Sequence, residues 1–389
     1  MRNAIALVAA AIAVWPCPPV AAQSLQARLQ ARLDSVHAAG RFPGATVGVA
    51  LADGRAFGWA VGFADTARKE PMRVTHRMLQ GSVGKTYFAA VALQLVREGR
   101  LQLDDRLEKY LAGEAWWEAP DGRVRLPNGA AVTIRQLMTH TSGVVRYEFK
   151  EEFQRDLTRD PQRVWQPADR LAYVLDTQPP FAAGQGWEYS DTNYILLGMV
   201  IEKITGSAAY REIERRLLAP NALRNTIPSD RAVLPGVAQG YAGPNNPFGG
   251  ADAMIVDGKF TVNPQLEWAG GGFASTAEDL ARWAAVAFSG KAFGPDLLQQ
   301  AVQAVEARGL GTGVRYGLGV IVRETPIGVS YGHSGFFPGY LTEVRYYPQL
   351  GFAIALQFNT SVGRAIGRNP GVILQELAGI VASDLAQTR

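Results

Sequence analysis

Cysteine is nearly missing from this sequence. Its 389 residues contain one, Cys17, so neither a disulfide framework nor a cysteine-rich metal cluster can hold the fold together. Histidine is scarce too. His37, His76, His140 and His333 lie far apart, and no metal site is expected. No run of five like charges occurs and no aromatic–basic alternation, although the formal net charge is +4. That pattern reads as a mixed, solvated surface and argues against a nucleic-acid partner. The G-x-S-x-G elbow, H-E-x-x-H, the P-loop and G-x-G-x-x-G after a strand are all absent. No cofactor is expected. What remains is an ordinary globular composition, 47% hydrophobic and 19% charged, long enough to bury its own core.

The longest apolar stretch near the start, Ala4 to Val14, is too short to span a bilayer. Arg2 precedes it and Val20-Ala21-Ala22 follows it before Gln23, which is the layout of a secretory signal over residues 1–22. The expectation is a secreted protein of residues 23–389 with the periplasm as its compartment and no membrane insertion after the signal is removed. Cys17 falls inside the signal, and Trp15 and Pro16 before it are the wrong context for a lipid anchor.

Hydrophobic periodicity predicts a helix over 24–39, closed by Gly40 and Pro43. Strands are predicted over 44–51 and 56–64, turning at Asp53-Gly54, and an apolar helix over 82–99. Helices follow at 192–204, 207–218 and 275–289, the last with a good N-cap and an acidic first turn. Strands at 316–323, 328–334, 341–347 and 351–358 then form a meander before a helix over 371–386. The order implies an α/β fold: an antiparallel sheet built from both chain ends, about 23–100 and 266–389, flanked by helices. A mostly helical insertion, about 101–265, lies between.

Ser82-Val83-Gly84-Lys85 is the single S-x-x-K in the chain. A serine hydroxyl needs a neighbouring base to become nucleophilic. Three residues on along a helix, Lys85 shares a face with Ser82. It acts as a base only when neutral, a state that the apolar stretch Tyr87 to Leu95 would favour. A helix start at Ser82 would also aim backbone N–H groups at a developing oxyanion. By itself so short a motif arises by chance.

Two later segments give it weight. Glu188-Tyr189-Ser190-Asp191-Thr192-Asn193-Tyr194 opens a strong helix, and Tyr331-Gly332-His333-Ser334-Gly335 lies among the strands. With S-x-x-K, these resemble the Y-x-N and K-T-G or H-x-G signatures of the serine β-lactamase and penicillin-binding-protein superfamily. Leu137 to Gly143 is similar to that family's "LLTHTSG" stretch, Tyr194 to Gly198 to its "YxLLG" helix and Gly270 to Thr276 to its "GGxxST" turn.

The resemblance implies a fold and roles. Ser82 would attack the acyl carbon, Lys85 would take its proton, and Tyr189 would serve the leaving group and the deacylating water. His333 would position a substrate carboxylate or support Tyr189. The backbone N–H groups of Ser82 and Phe336 would form the oxyanion hole, with Gly335 leaving room for the acyl group and Ser334 beside the substrate. His140 is expected to be structural, while Trp116, Trp117 and Trp187 are cleft-wall candidates.

Two departures matter. Asp191 replaces the Asn whose amide would meet an acylamido carbonyl, and an ionised Asp only accepts. His333 replaces a permanent cation. The substrate is a small molecule or peptide, and three readings stay open. One is hydrolysis of amide or lactam bonds in D-amino-acid, peptidoglycan-like or β-lactam compounds. Another is a carboxylesterase of the family VIII kind, and a third is a penicillin-binding or sensing module that turns over slowly.

Overall fold

The computed structural model describes residues 24–387 apart from 245, 247, 250 and 251. The predicted signal over 1–22 therefore lies outside the described residues. Helix α1 (Leu25–Ala39) starts at Ser24, whose hydroxyl accepts from the Ala27 N–H, and runs into strands β1 (Gly44–Ala50) and β2 (Ala56–Asp65). Helix α2 is Lys85–Arg97, α3 Asp191–Thr205 and α4 Ala277–Phe288. Strands β3 (Ile321–Thr325), β4 (Gly328–Phe337), β5 (Tyr340–Tyr347) and β6 (Phe352–Phe358) and helix α5 (Pro370–Gln387) complete the frame.

One nine-stranded antiparallel sheet results, and its central pairing joins the two chain ends. β1 lies against β6 with Thr46 opposite Gln357 and Ala50 opposite Ala353, while β2 flanks β1 on the far side. β5, β4 and β3 continue the sheet beyond β6. Every residue of β1 and of β6 is buried, because helices cover both faces. α1 and α5 seal one face through Leu29, Leu33, Leu374 and Leu377 against Ile354 and Leu356. α4 covers the other, and α2 and α3 pack behind it, so that Phe88, Leu197 and Trp283 share a core with Ala355. Gly48 is needed at the sheet centre. A Cβ there would stand 2.1 Å from the Ala277 carbonyl oxygen, where α4 begins on the strand. The Thr276 side chain caps α4 by accepting from the Asp279 N–H at 3.3 Å, a contact of the kind worth about 1 kcal/mol.

Three expectations shift. The helix predicted over 82–99 is a 3-10 turn, Gly81–Gly84, followed by α2 proper. The strand predicted over 316–323 is a tight hairpin, Arg315–Tyr316 against Ile321–Thr325. Gly319, at φ +74°, turns it where the chain presses on α2, and a Cβ there would lie 2.5 Å from that of Ala89. The middle segment holds short helices, Glu108–Leu111, Ile134–Met138, Glu151–Arg159, Pro167–Leu171 and Ala209–Ile213, besides α3, and long loops join them.

Candidate active site

Ser82 sits in the 3-10 turn that leads into α2, where β4, α3 and the turn Trp268–Gly270 converge. Close backbone approach makes this meeting feasible. A Cβ on Gly335 would stand 1.8 Å from the Gln80 carbonyl oxygen, and one on Gly81 (φ +54°) 2.5 Å from the Phe336 nitrogen. Gly335 is thus required by strand-to-turn packing, whereas the sequence reading assigned it to acyl entry. The same packing sets Gly81 directly against the Phe336 backbone. Gly84 likewise abuts Gly271, at 2.3 Å from its carbonyl oxygen for an added Cβ, which delivers the adjacent Gly270 carbonyl to the site.

Lys85 is wholly buried at the first position of α2. Its ammonium donates to Ser82 Oγ at 2.9 Å and to the Gly270 carbonyl, and it pairs with Asp191 Oδ1. The rings of Tyr189 and Tyr194 lie 5.0 and 5.6 Å away. Burial alone would discharge the amine. Asp191, and after it Tyr189, outweigh burial and hold the Lys85 pKa above its ordinary value. This corrects the sequence-based picture of an amine neutralised by its apolar surroundings.

Asp191 is the first residue of α3 and faces inward. Burial opposes its charge, but Lys85 and Arg146 keep its carboxyl far below the usual range, and Arg146 Nη2 reaches Oδ2 at 3.3 Å. The sequence reading set Asp191 among the substrate-binding residues, at the position of the family's Asn. With both oxygens engaged by cations, it is instead the counter-ion of Lys85, and it is absent from the cleft wall. Arg146 also donates to Glu148 at 2.6 Å. Burial, and then Asp191's charge, push the Glu148 carboxyl well above its ordinary pKa.

Tyr189 Oη is buried without a hydrogen-bond partner. Burial raises its pKa, while the Lys85 charge and contact with Ser82 pull the other way. The phenol is clamped by the His140 ring at 4.1 Å and by Tyr316 edge-on at 5.9 Å. His140 itself is fixed by the Ser190 N–H and the Asn193 amide, at 3.2 and 3.0 Å. Burial, reinforced by Lys85, keeps it neutral. Its contacts tie the start of α3 to the Tyr189 ring.

His333 lies on β4 with both nitrogens occupied. Nδ1 donates to the Ser334 carbonyl at 2.6 Å, and Nε2 accepts from the Tyr316 hydroxyl at 2.8 Å. Burial, then Lys85, bring its pKa down to about 3. Its ring stands 6.3 Å from that of Tyr189. So His333 carries no charge for a carboxylate, and its link to Tyr189 is packing shared through Tyr316.

A cleft of about 610 Å³ opens over Ser82, walled by Tyr189, Arg146, His333, Ser334, Gly335 and Phe336. A larger cavity of about 870 Å³, around Tyr210 and Arg224, includes none of these residues. Trp187 joins the cleft wall, whereas Trp117 packs in the interior and the half-buried Trp116 lies against that core, away from the cleft. Phe149 and Phe336 rim the mouth, 71% and 47% exposed. Sequence reasoning missed Arg146, Glu148 and Tyr316, and no motif marks them. Gly270 lies within the quoted turn, yet its carbonyl role has no side chain to announce it.

Comparison with known proteins agrees with this architecture. The family model named Beta-lactamase matches residues 25–377. The chain is 26% identical over 289 residues to "Beta-lactamase" of Escherichia coli (strain K12), covering 74% of this chain and 68% of that one. It is 27% identical over 353 residues to "Esterase EstB" of Burkholderia gladioli, covering 81% and 88%. The solved D-stereospecific amidohydrolase from Streptomyces sp. superposes with a TM-score of 0.72 at 27% identity, over 87% of this chain and 96% of that one.

Proposed function

Since the chain belongs to the Beta-lactamase family and is a serine hydrolase as its members are, we propose that it cleaves uncharged, apolar acyl substrates, carboxylic esters foremost, through an acyl-enzyme on Ser82. The observation that carries this reading is the state of the cleft's cations. Lys85 is engaged by Asp191, Arg146 by Glu148 and Asp191, and His333 is neutral. The remaining ionisable groups on the wall, Glu188 and Glu343, are acidic residues. A substrate carboxylate, as in β-lactams or peptides ending in D-alanine, would meet no unengaged cation. An apolar acyl or alcohol group would cover Phe149, Phe336, Trp187 and Leu310.

In the proposed reaction Ser82 Oγ bonds to the acyl carbon as its proton passes to the Lys85 amine. The tetrahedral oxyanion is held by the Ser82 and Phe336 N–H groups. Tyr189 gives its proton to the departing alkoxide and regains one from the Lys85 ammonium; a water then adds to the acyl carbon, its proton passing through the same groups to Ser82 Oγ as the acid leaves. The 27% likeness to the Streptomyces amidohydrolase favours neutral amides as a second substrate class. The N-terminal pattern Arg2, Ala4 to Val14 and Val20-Ala21-Ala22 supports export to the periplasm as part of the same proposal. Among the described residues no helix is long and apolar enough to cross a membrane.

The test is a panel of p-nitrophenyl butyrate, nitrocefin and a peptide ending in D-Ala-D-Ala. The expected kcat/KM for the ester exceeds the other two by at least tenfold. Preference for nitrocefin or the peptide would overturn the substrate assignment, and an adduct without turnover would favour the sensing module.

A further inference from the structure

Three acceptors surround Lys85 Nζ: Ser82 Oγ, the Gly270 carbonyl and Asp191 Oδ1. The first two suffice to aim an amine at Ser82. The third is a carboxylate, and it buries its Oδ1 against the ammonium rather than lining the cleft. From this geometry we infer that Asp191 is a positioning residue that holds Lys85 as an ammonium at rest, so that Ser82 is acylated only after that ammonium has given its proton to solvent. This rests on the proposed function of the site and adds its regulation by pH.

The chemistry is simple to balance. An ammonium has no lone pair and donates to Ser82 Oγ, so it stabilises the hydroxyl without taking its proton. Loss of one proton to water or hydroxide leaves an amine that keeps two donors, for Gly270 and Asp191, and turns its lone pair to the Ser82 O–H. The carboxylate therefore orients the working amine and also sets how alkaline the solution must be to produce it.

Other groups face Lys85 and bear on its charge. From α3 and the residues before it come Tyr189 and Tyr194, and from the turn Trp268–Gly270 comes Glu267, which precedes it. From the loops come Arg146, Glu148 and His140, and from β4 His333. Arg146 on Asp191 Oδ2 draws part of the carboxylate's field away from Lys85. Asp191 and Arg146 thus act on Lys85 with opposite signs, and that opposition distinguishes an electrostatic role from a structural one.

The experiment is the pH dependence of kcat/KM for p-nitrophenyl butyrate from pH 5 to 10, on the full chain and its Asp191→Asn and Arg146→Gln variants. Thermal melts check that each is folded, and Ser82→Ala serves as the blank. The expected wild-type profile rises with pH through a limb on the alkaline side of neutrality. Asp191→Asn moves that limb about one pH unit or more toward acid, and Arg146→Gln moves it the other way. Should Asp191→Asn fail to fold, the upward shift in Arg146→Gln carries the test. Variants that lose amplitude while the limb stays put would overturn the role of Asp191 and leave the hydrolase reading standing. Turnover by Ser82→Ala equal to wild type would overturn both.

Discussion

Tyr189 shows how a single atom can be costly to the fold and indispensable to the proposed chemistry. Its Oη is buried with only a loose contact to Ser82 and the Lys85 charge nearby, and desolvation of so poorly paired a hydroxyl costs on the order of 1–3 kcal/mol. The ring, by contrast, is well packed between His140 and Tyr316. Tyr189→Phe keeps the packing and deletes the hydroxyl. We expect a Tm equal to or above wild type, measured by circular dichroism, together with a fall in kcat/KM of about 10²–10⁴ for ester hydrolysis. A stable variant with undiminished turnover would remove Tyr189 from proton transfer. At this scale the sequence was most informative where a motif names a side chain, as with Ser82, Lys85, Tyr189 and His333. It was silent on Arg146, whose role depends on a loop bringing it to Asp191. It misjudged Asp191, because a type of residue does not reveal whether its neighbour is substrate or ammonium.

Elements place these atoms through backbone contacts that leave little trace in hydropathy. β4 reaches the Ser82 turn only because Gly335 and Gly81 lack side chains, with 1.8 Å available to a Cβ at the first. Gly335→Ala should therefore push β4 from the turn and spread the Ser82 and Phe336 amides. The expected result is a loss of about 1–3 kcal/mol in stability by denaturant unfolding and a drop in kcat/KM of about 10²-fold or more, in keeping with a lost oxyanion donor. Wild-type activity in a folded Gly335→Ala protein would contradict that arrangement. Periodicity located most elements to within a few residues, including α3 and the β4–β6 meander. It failed over 316–323, where two glycines fold a β-rich stretch back on itself. That hairpin carries Tyr316 to His333, so the missed turn is also a missed piece of the site.

Across the whole molecule, the buried polar site makes stability depend on pH in two directions. His140 and His333 are neutral in the fold, so acid favours the unfolded chain as pH falls from about 6.5, the value for free histidine, toward about 3 for His333. Glu267 acts the other way. Burial, opposed by Lys85, raises its pKa to about 8 from 4.5, so its contribution is complete below pH 4.5 and is lost as pH rises through 8. The Tm of Glu267→Gln minus that of wild type should increase from pH 5 to pH 8 in thermal melts. A difference that stays constant across that range would show that Glu267 is not held protonated. The sheet closed from both chain ends was legible as an order of elements, since a strand pair near the start and a meander near the end need a common sheet. The charge balance within the site was not, because it depends on which long-range neighbours share a buried volume.

All of this depends on Ser82 carrying the acyl group. The most direct measurement is mass spectrometry of protein quenched during turnover of p-nitrophenyl butyrate, followed by digestion and sequencing of the modified peptide. The predicted result is a butyryl group on the peptide containing Ser82, absent from Ser82→Ala. A butyryl group confined to another residue, with Ser82→Ala still hydrolysing the ester, would contradict the account.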